Sequence, residues 1–169
     1  SILLIVGCGT EPEDCAGVEG GDTKIDDCGI CDGNGYNDDD YHCGDLSVLQ
    51  DIIDLNESVN GTPLELGSLQ SWNTGRLDSL AIWNSELSIL PESIGNLSNL
   101  IFLSFEGNKL STLPESIGNL TNLKALTLDS NQLTTIPESI CNIIPDLDYC
   151  EVSNSSLCGE LPSCFPSVL

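Results

Sequence analysis

Between Gly95 and Ile140 the chain writes one pattern twice, GNLSNLIFLSFEGNKLSTLPESI and then GNLTNLKALTLDSNQLTTIPESI, each 23 residues long. Apolar side chains fall at Leu100, Leu103, Phe105 and Leu110 in the first copy and at Leu123, Leu126, Leu128 and Leu133 in the second. Asn108 and Asn131 stand at matching places, so the shared pattern is LxxLxLxxNxL. The LxL step has a period of two and predicts a strand whose leucines face inward, one strand per unit, stacking into a parallel sheet. Pro-Glu-Ser-Ile recurs at 91–94, 114–117 and 137–140 and predicts a short helix or 3₁₀ segment on the opposite side. A unit of this length cannot bury its own apolar face, so the pattern implies a stack of units covering one another.

The frame extends both ways. One period back it meets Leu77, Leu80, Ile82, Ser85 and Leu87, a unit running from about Trp72 to Ile94 with Ser85 in the Asn place. One period forward it meets Cys141, slips by one residue around Pro145, and then places Leu147, Cys150, Val152 and Leu157 in the core. The last Pro-containing phrase degenerates to Leu161-Pro162-Ser163-Cys164-Phe165. Ahead of the repeats, Asp45 reads as an N-cap for a helix of about ten residues with Leu46, Val48, Leu49, Ile52, Ile53 and Leu55 at helical spacing. That helix is expected to cover the open end of the stack. Asn60-Gly61-Thr62-Pro63 then ends the segment as a turn, and Leu64, Leu66 and Leu69 are expected to pack with Trp72 under the first unit.

The repeated LxxLxLxxNxL phrases resemble the leucine-rich repeat family, in the LPxxIGNL variety found in bacterial surface proteins and in plant and animal Ras-associated repeat proteins. The resemblance implies an α/β leucine-rich repeat solenoid of about four coils, with a parallel β-sheet on its concave face. The expected divisions are 1–8, a signal-peptide remnant; 9–45, an acidic stalk or small module; 46–71, an N-terminal cap; 72–140, the repeats; and 141–169, a degenerate repeat with a C-terminal cap. The phrase LCGELPSC near the end resembles the terminal caps of secreted members. Asn108 and Asn131, short side chains with donors and an acceptor, are expected to satisfy backbone groups where the chain leaves each strand.

Charge narrows the partners. Four Lys+Arg against 27 Asp+Glu give a net charge of -23, which repels phosphate backbones and anionic lipid and leaves cations and basic proteins or peptides as compatible ligands. Nine cysteines point to an oxidising compartment. Cys8 stands alone, Cys15, Cys28, Cys31 and Cys43 form one group of four, and Cys141, Cys150, Cys158 and Cys164 form another. Each group allows three pairings; Cys141 with Cys150 and Cys158 with Cys164 is the arrangement expected at the C-terminal end. A zinc site on Cys28-Gly-Ile-Cys31 with Cys15, Cys43 and His42 is the alternative use of the first group.

Ile2 to Val6 is too short to span a bilayer and looks like the end of a signal-peptide apolar region. Ile5-Val6-Gly7-Cys8 resembles the lipobox of bacterial lipoproteins, which implies lipidation at Cys8, a membrane tether through its acyl chains and a place outside the cytoplasm, at the cell surface or outer membrane; the chain is expected to be a monomer. An ordinary secretory signal is the other reading. Asp14-Cys15-Ala16-Gly17-Val18 and Asp27-Cys28-Gly29-Ile30-Cys31-Asp32-Gly33-Asn34-Gly35 resemble the DCAGVCGG-like repeats of marine bacterial surface proteins, although Glu19 stands where a second cysteine is common. Asp32, Asn34, Asp38, Asp39 and Asp40 gather hard oxygen donors and make Ca²⁺ the one candidate cofactor; a solvated linker is the alternative.

Catalysis finds no foothold. His42 is the sole histidine, with no positioned nucleophile evident beside it, and no P-loop, GxGxxG or HExxH is present, so the chain reads as no enzyme. Binding has a specific address. Residues between the core leucines point to the concave surface: Ser79, Ala81 and Trp83; Phe102, Ser104 and Glu106; Ala125, Thr127 and Asp129; Tyr149, Glu151 and Ser153; with Lys124 at the edge. Aromatic anchors beside carboxylates suit a basic peptide or protein. A calcium-dependent structural or adhesive module built on the acidic segment is the competing reading.

Overall fold

The computed structural model describes residues 41–153 together with 155, 157 and 162–164. The lipobox cysteine Cys8, the acidic donors Asp32 to Asp40, and Cys15, Cys28, Cys31 and Cys158 lie outside the described residues.

A parallel-dominated sheet forms the spine. Its strands are β1 (Leu69–Asn73), β2 (Arg76–Ala81), β3 (Phe102–Ser104), β4 (Ala125–Thr127) and β5 (Tyr149–Glu151), in the spatial order of the chain. Ser79 pairs with Phe102 and Phe102 with Ala125, so a 23-residue period carries the chain one strand sideways in register. Ala125 pairs with Tyr149, one residue beyond that period. The additional residue is taken up by an extra 3₁₀ turn at Ile144–Asp146, where Pro145 sits in the first turn. Pro91, Pro114 and Pro137, each in an extended conformation, introduce 3₁₀ segments at Glu92–Asn96, Glu115–Asn119 and Glu138–Asn142, which stack on one another. Between these two layers, Leu77, Leu80, Ile82, Leu100, Leu103, Phe105, Leu123, Leu126 and Leu128 are fully enclosed, in one core continuous from Val48 to Val152.

Where the chain leaves each strand it turns through a left-handed residue, Asn84, Gly107 and Ser130, at φ of 50°, 69° and 56°. The Asn ladder closes these turns. Asn108 accepts from the backbone N–H of Ser85 and Leu87 and donates to the carbonyls of Ile82, Phe105 and Glu106. Asn131 accepts from Leu110 N–H and donates to Phe105, Leu128 and Asp129.

Helix α1 (Cys43–Leu55) starts earlier than the expected cap at Asp45, and His42 occupies the N-cap. The reason lies outside the helix. Asp45 is 1% exposed and its carboxylate accepts from Arg76 Nε at 2.9 Å, Arg76 Nη2 at 3.0 Å and the Leu77 N–H at 2.9 Å. An N-cap acid would turn back to its own helix; this one ties the helix to β2. Val48, Leu49 and Ile52 enter the common core, and α1 packs on the 3₁₀ segment Glu92–Asn96, with Ser93 Oγ donating to Asp51 at 2.5 Å. Asn56 at the helix end accepts from Ser88 and Ile89 N–H and donates to the Ile52 and Ile89 carbonyls, the ladder's chemistry moved onto the helix.

Three expectations change here. Leu66 is buried, but Leu64, in a 3₁₀ turn at Pro63–Glu65, is exposed, and so is Leu69, because β1 turns antiparallel to β2 and puts it on the outer face. Cys150 pairs in register with Leu126 yet is exposed; among the described residues β5 has a strand neighbour on one side alone, unlike the inner strands. The disulfide is Cys141–Cys164, with Cα atoms 5.5 Å apart, and Cys150 is a free thiol, so the expected Cys141–Cys150 and Cys158–Cys164 pairing is replaced. Cys141 lies in the 3₁₀ layer while Cys150 belongs to the sheet, and the partner it meets is the cysteine one period on. Cys43, a candidate zinc ligand in the sequence, is itself disulfide-bonded.

Candidate protein-binding face

Strand register arranges the outer side of the sheet in rows. One row is Ser71, Ser79, Phe102, Ala125 and Tyr149; the next is Leu69, Ala81, Ser104, Thr127 and Glu151. Beyond the strands, backbone bonds from Asn84 N–H to Glu106, Gly107 N–H to Asp129 and Ser130 N–H to Ser153 hold Trp83, Glu106, Asp129 and Ser153 in a third row. Alternation along a strand sends these residues to one face and their leucine neighbours to the core.

Trp83 is 39% and Tyr149 53% exposed, whereas Ser104 is 2% and Thr127 9% exposed. The two hydroxyl residues therefore form the floor of the face rather than its contact surface, a correction to their expected role. Ser104 Oγ accepts a 2.7 Å hydrogen bond from the Trp83 indole N–H, so the serine orients the ring instead of meeting a ligand. Small side chains between rows that carry larger ones are overshadowed, which a pattern of alternation does not register.

The charges on the face are all of one sign. Glu106 is exposed, with Asp129 and Glu151 half-buried beside it. Tyr149 donates its hydroxyl proton to Glu151, and Asp129 accepts from Ser153 and, at 2.8 Å, from Ser130. The Tyr149 phenol is held above its ordinary value, first by that bond to Glu151, then by desolvation, then by the charges of Glu151, Asp129 and Glu106. The described cations are engaged elsewhere: Arg76 with Asp45, Lys109 with Glu86 at 3.0 Å, and Lys124 through Nζ with the Asp146 carbonyl at 3.1 Å. Lys124, expected at the edge of the face, thus braces one unit against the next.

Residues that the repeat frame did not supply also matter. Leu69, 44% exposed, and Ser71 extend the face onto β1. Their signal was local: Asn73 pairs with Arg76 across a two-residue turn in which Thr74 and Gly75 both have positive φ, 49° and 77°, the geometry of a type I′ hairpin. Among the described residues no group of three or more His, Cys, Asp and Glu is placed to hold a metal ion, and no helix is long and apolar enough to cross a membrane.

Residues 75–133 match the family model described as leucine rich repeat. A solved leucine-rich repeat protein of Leptospira interrogans is 39% identical over 46% of this chain and 19% of its own, with a TM-score of 0.43. The chain thus spans about a fifth of that protein's length. No curated protein matches the chain. The repeat segment is of the leucine-rich repeat type, and the parallel-dominated sheet with short helical segments fits an α/β repeat fold. Domains of this type are commonly non-enzymatic and mediate protein binding.

Proposed function

We propose that the chain is an extracytoplasmic protein-binding module that takes a basic protein or peptide on the outer, concave face of its sheet. The observation that carries the reading is the coincidence of exposed Trp83 and Tyr149 with Glu106, Asp129 and Glu151 on one face. Aromatic side chains supply interface energy where they are desolvated, and the carboxylates steer a partner of opposite sign. Disulfide-bonded Cys43 and the Cys141–Cys164 bond support an oxidising environment. Within this reading the stack has about four coils, closed by α1 at one end and the disulfide-bearing segment at the other, and Cys8 carries the lipid.

The test is selection of peptides from a random displayed library on the immobilised full chain. Binders enriched in Lys and Arg are expected, with affinity reduced at least about tenfold by Trp83→Ala or Phe102→Ala at unchanged melting temperature. Binders indifferent to both substitutions reject the face. For the anchor, incorporation of a clickable fatty acid in the producing cell is expected with the native chain and abolished by Cys8→Ser; retained label removes that assignment.

A further inference from the structure

We infer that the outer face contains a seat for one arginine side chain of the partner, with Ala125 as its floor, Phe102 and Tyr149 as its walls and Glu151 at its rim. The inference rests on the protein-binding reading and narrows the partner's chemistry.

Register places Ala125 directly between Phe102 and Tyr149 in the same row. Its methyl group is far smaller than either ring, so the row dips there. Neighbouring strands lie about 4.8 Å apart, which puts the two aromatic positions roughly 10 Å from each other with about 5 Å on either side of the floor. A guanidinium group is flat, stacks on aromatic faces, and gains cation–π attraction within about 6 Å of a ring centroid, so one group over Ala125 lies within range of both walls. A lysine ammonium, compact and strongly hydrated, has no flat face to offer two rings.

Among the described residues no cation meets the carboxylate of this seat. Glu151 lies in the next row beside Tyr149, and the Tyr149 hydroxyl donates to it, which holds the carboxylate at the edge of the wall. Asp129 and Glu106 stand one row further on, and their charges reach the same phenol. Arg76, Lys109 and Lys124 are each committed to other groups. Trp83, tied back to Ser104, closes the β2 side of the face. A planar cation is therefore the ligand that meets aromatic walls and an acidic rim together.

The experiment titrates the full chain with N-acetyl-arginine methylamide, followed by NMR of the Ala125 methyl and the Phe102 and Tyr149 rings. Saturable shifts at all three are expected, with the citrulline analogue, which keeps the shape and loses the charge, at least about fivefold weaker. Ala125→Leu, which fills the gap, is expected to abolish the response, and Glu151→Gln to weaken it about two- to fivefold. Tyr149→Leu, which removes a wall from an exposed site, serves as the second probe, and melting curves show that each variant is folded. An absent response, an equal response to citrulline, or unchanged affinity in folded Ala125→Leu overturns the seat. A face that still loses selected peptides on Trp83→Ala while ignoring the arginine probe rejects the seat and leaves the binding module standing.

Discussion

Asn108 shows how much one side chain carries in this architecture. At 5% exposure its amide meets two N–H groups and three carbonyls across neighbouring units. Alanine there strands buried backbone groups, and a loss of about 2–3 kcal/mol is expected in urea unfolding of Asn108→Ala. Gly118 carries a different constraint: a Cβ at that position would collide with the Ser139 carbonyl of the next 3₁₀ segment, so the Gly of each GNL phrase sets how closely the units stack. Gly118→Ala is expected to cost about 1–3 kcal/mol as an overpacked contact. Tyr149 gives a readout by pH. Its folded value lies above that of the unfolded chain, so the neutral phenol is the form the fold favours. The associated stability is present below the ordinary tyrosine value of about 10 and lost as pH rises through the folded value. Ultraviolet titration of phenolate should show one tyrosine ionising late in the native chain, and earlier in Glu151→Gln. The roles of Asn108 and of the core leucines are legible in the pattern, since each repeats at a fixed distance. The burial of Ser104 and Thr127 is not, because it depends on what Trp83 and the neighbouring strands lay over them.

At the scale of elements, two joints hold the repeats to their ends. The first is the Asp45–Arg76 pair between α1 and β2, with Asp45 nearly inaccessible. Removing one partner of a buried pair leaves an uncompensated charge, so Asp45→Ala is expected to lose about 3 kcal/mol or more. The double substitution Asp45→Ala with Arg76→Met is expected to lose less than the two singles combined, a coupling that a double-mutant cycle in urea reads directly. The second joint is Cys141–Cys164, which closes a segment of 23 residues. Its removal by paired serines is expected to lower stability by about 2–4 kcal/mol. Cys150 remains a thiol, and burial around its sulfur raises it above its ordinary value even though the residue reaches the surface, so it is expected to alkylate slowly at neutral pH. The helix after Asp45 is legible in its apolar spacing, but its start at Cys43 and the use of Asp45 are not, because Arg76 stands 31 residues away. The hairpin β1–β2 hides for a related reason: Thr74-Gly75 is a weak turn signal that gains meaning once β2 is recognised as the first strand of the parallel run.

The whole molecule is a charged object before it is a specific one. With a net charge of -23, the folded chain repels itself, and salt is expected to raise its melting temperature as the screening length falls to about 10 Å near 0.1 M. The same screening is expected to weaken capture of basic peptides, so stability and binding should respond to salt with opposite signs. What the sequence alone determined is the stack: an apolar period of 23 residues admits one way for every unit to bury its leucines, against the unit before and the unit after. What tertiary structure decided is everything that depends on an end or on a neighbour of unequal size. Cys150 is exposed on β5, which among the described strands has a neighbour on one side alone, Cys141 finds Cys164 because the two fall one period apart on the same side of the stack, and Ala125 is set between Phe102 and Tyr149 by strand register. Periodicity is a property of one chain direction and is written residue by residue. Shadowing, termination and cross-strand pairing are properties of the second dimension, which exists only after the units have stacked.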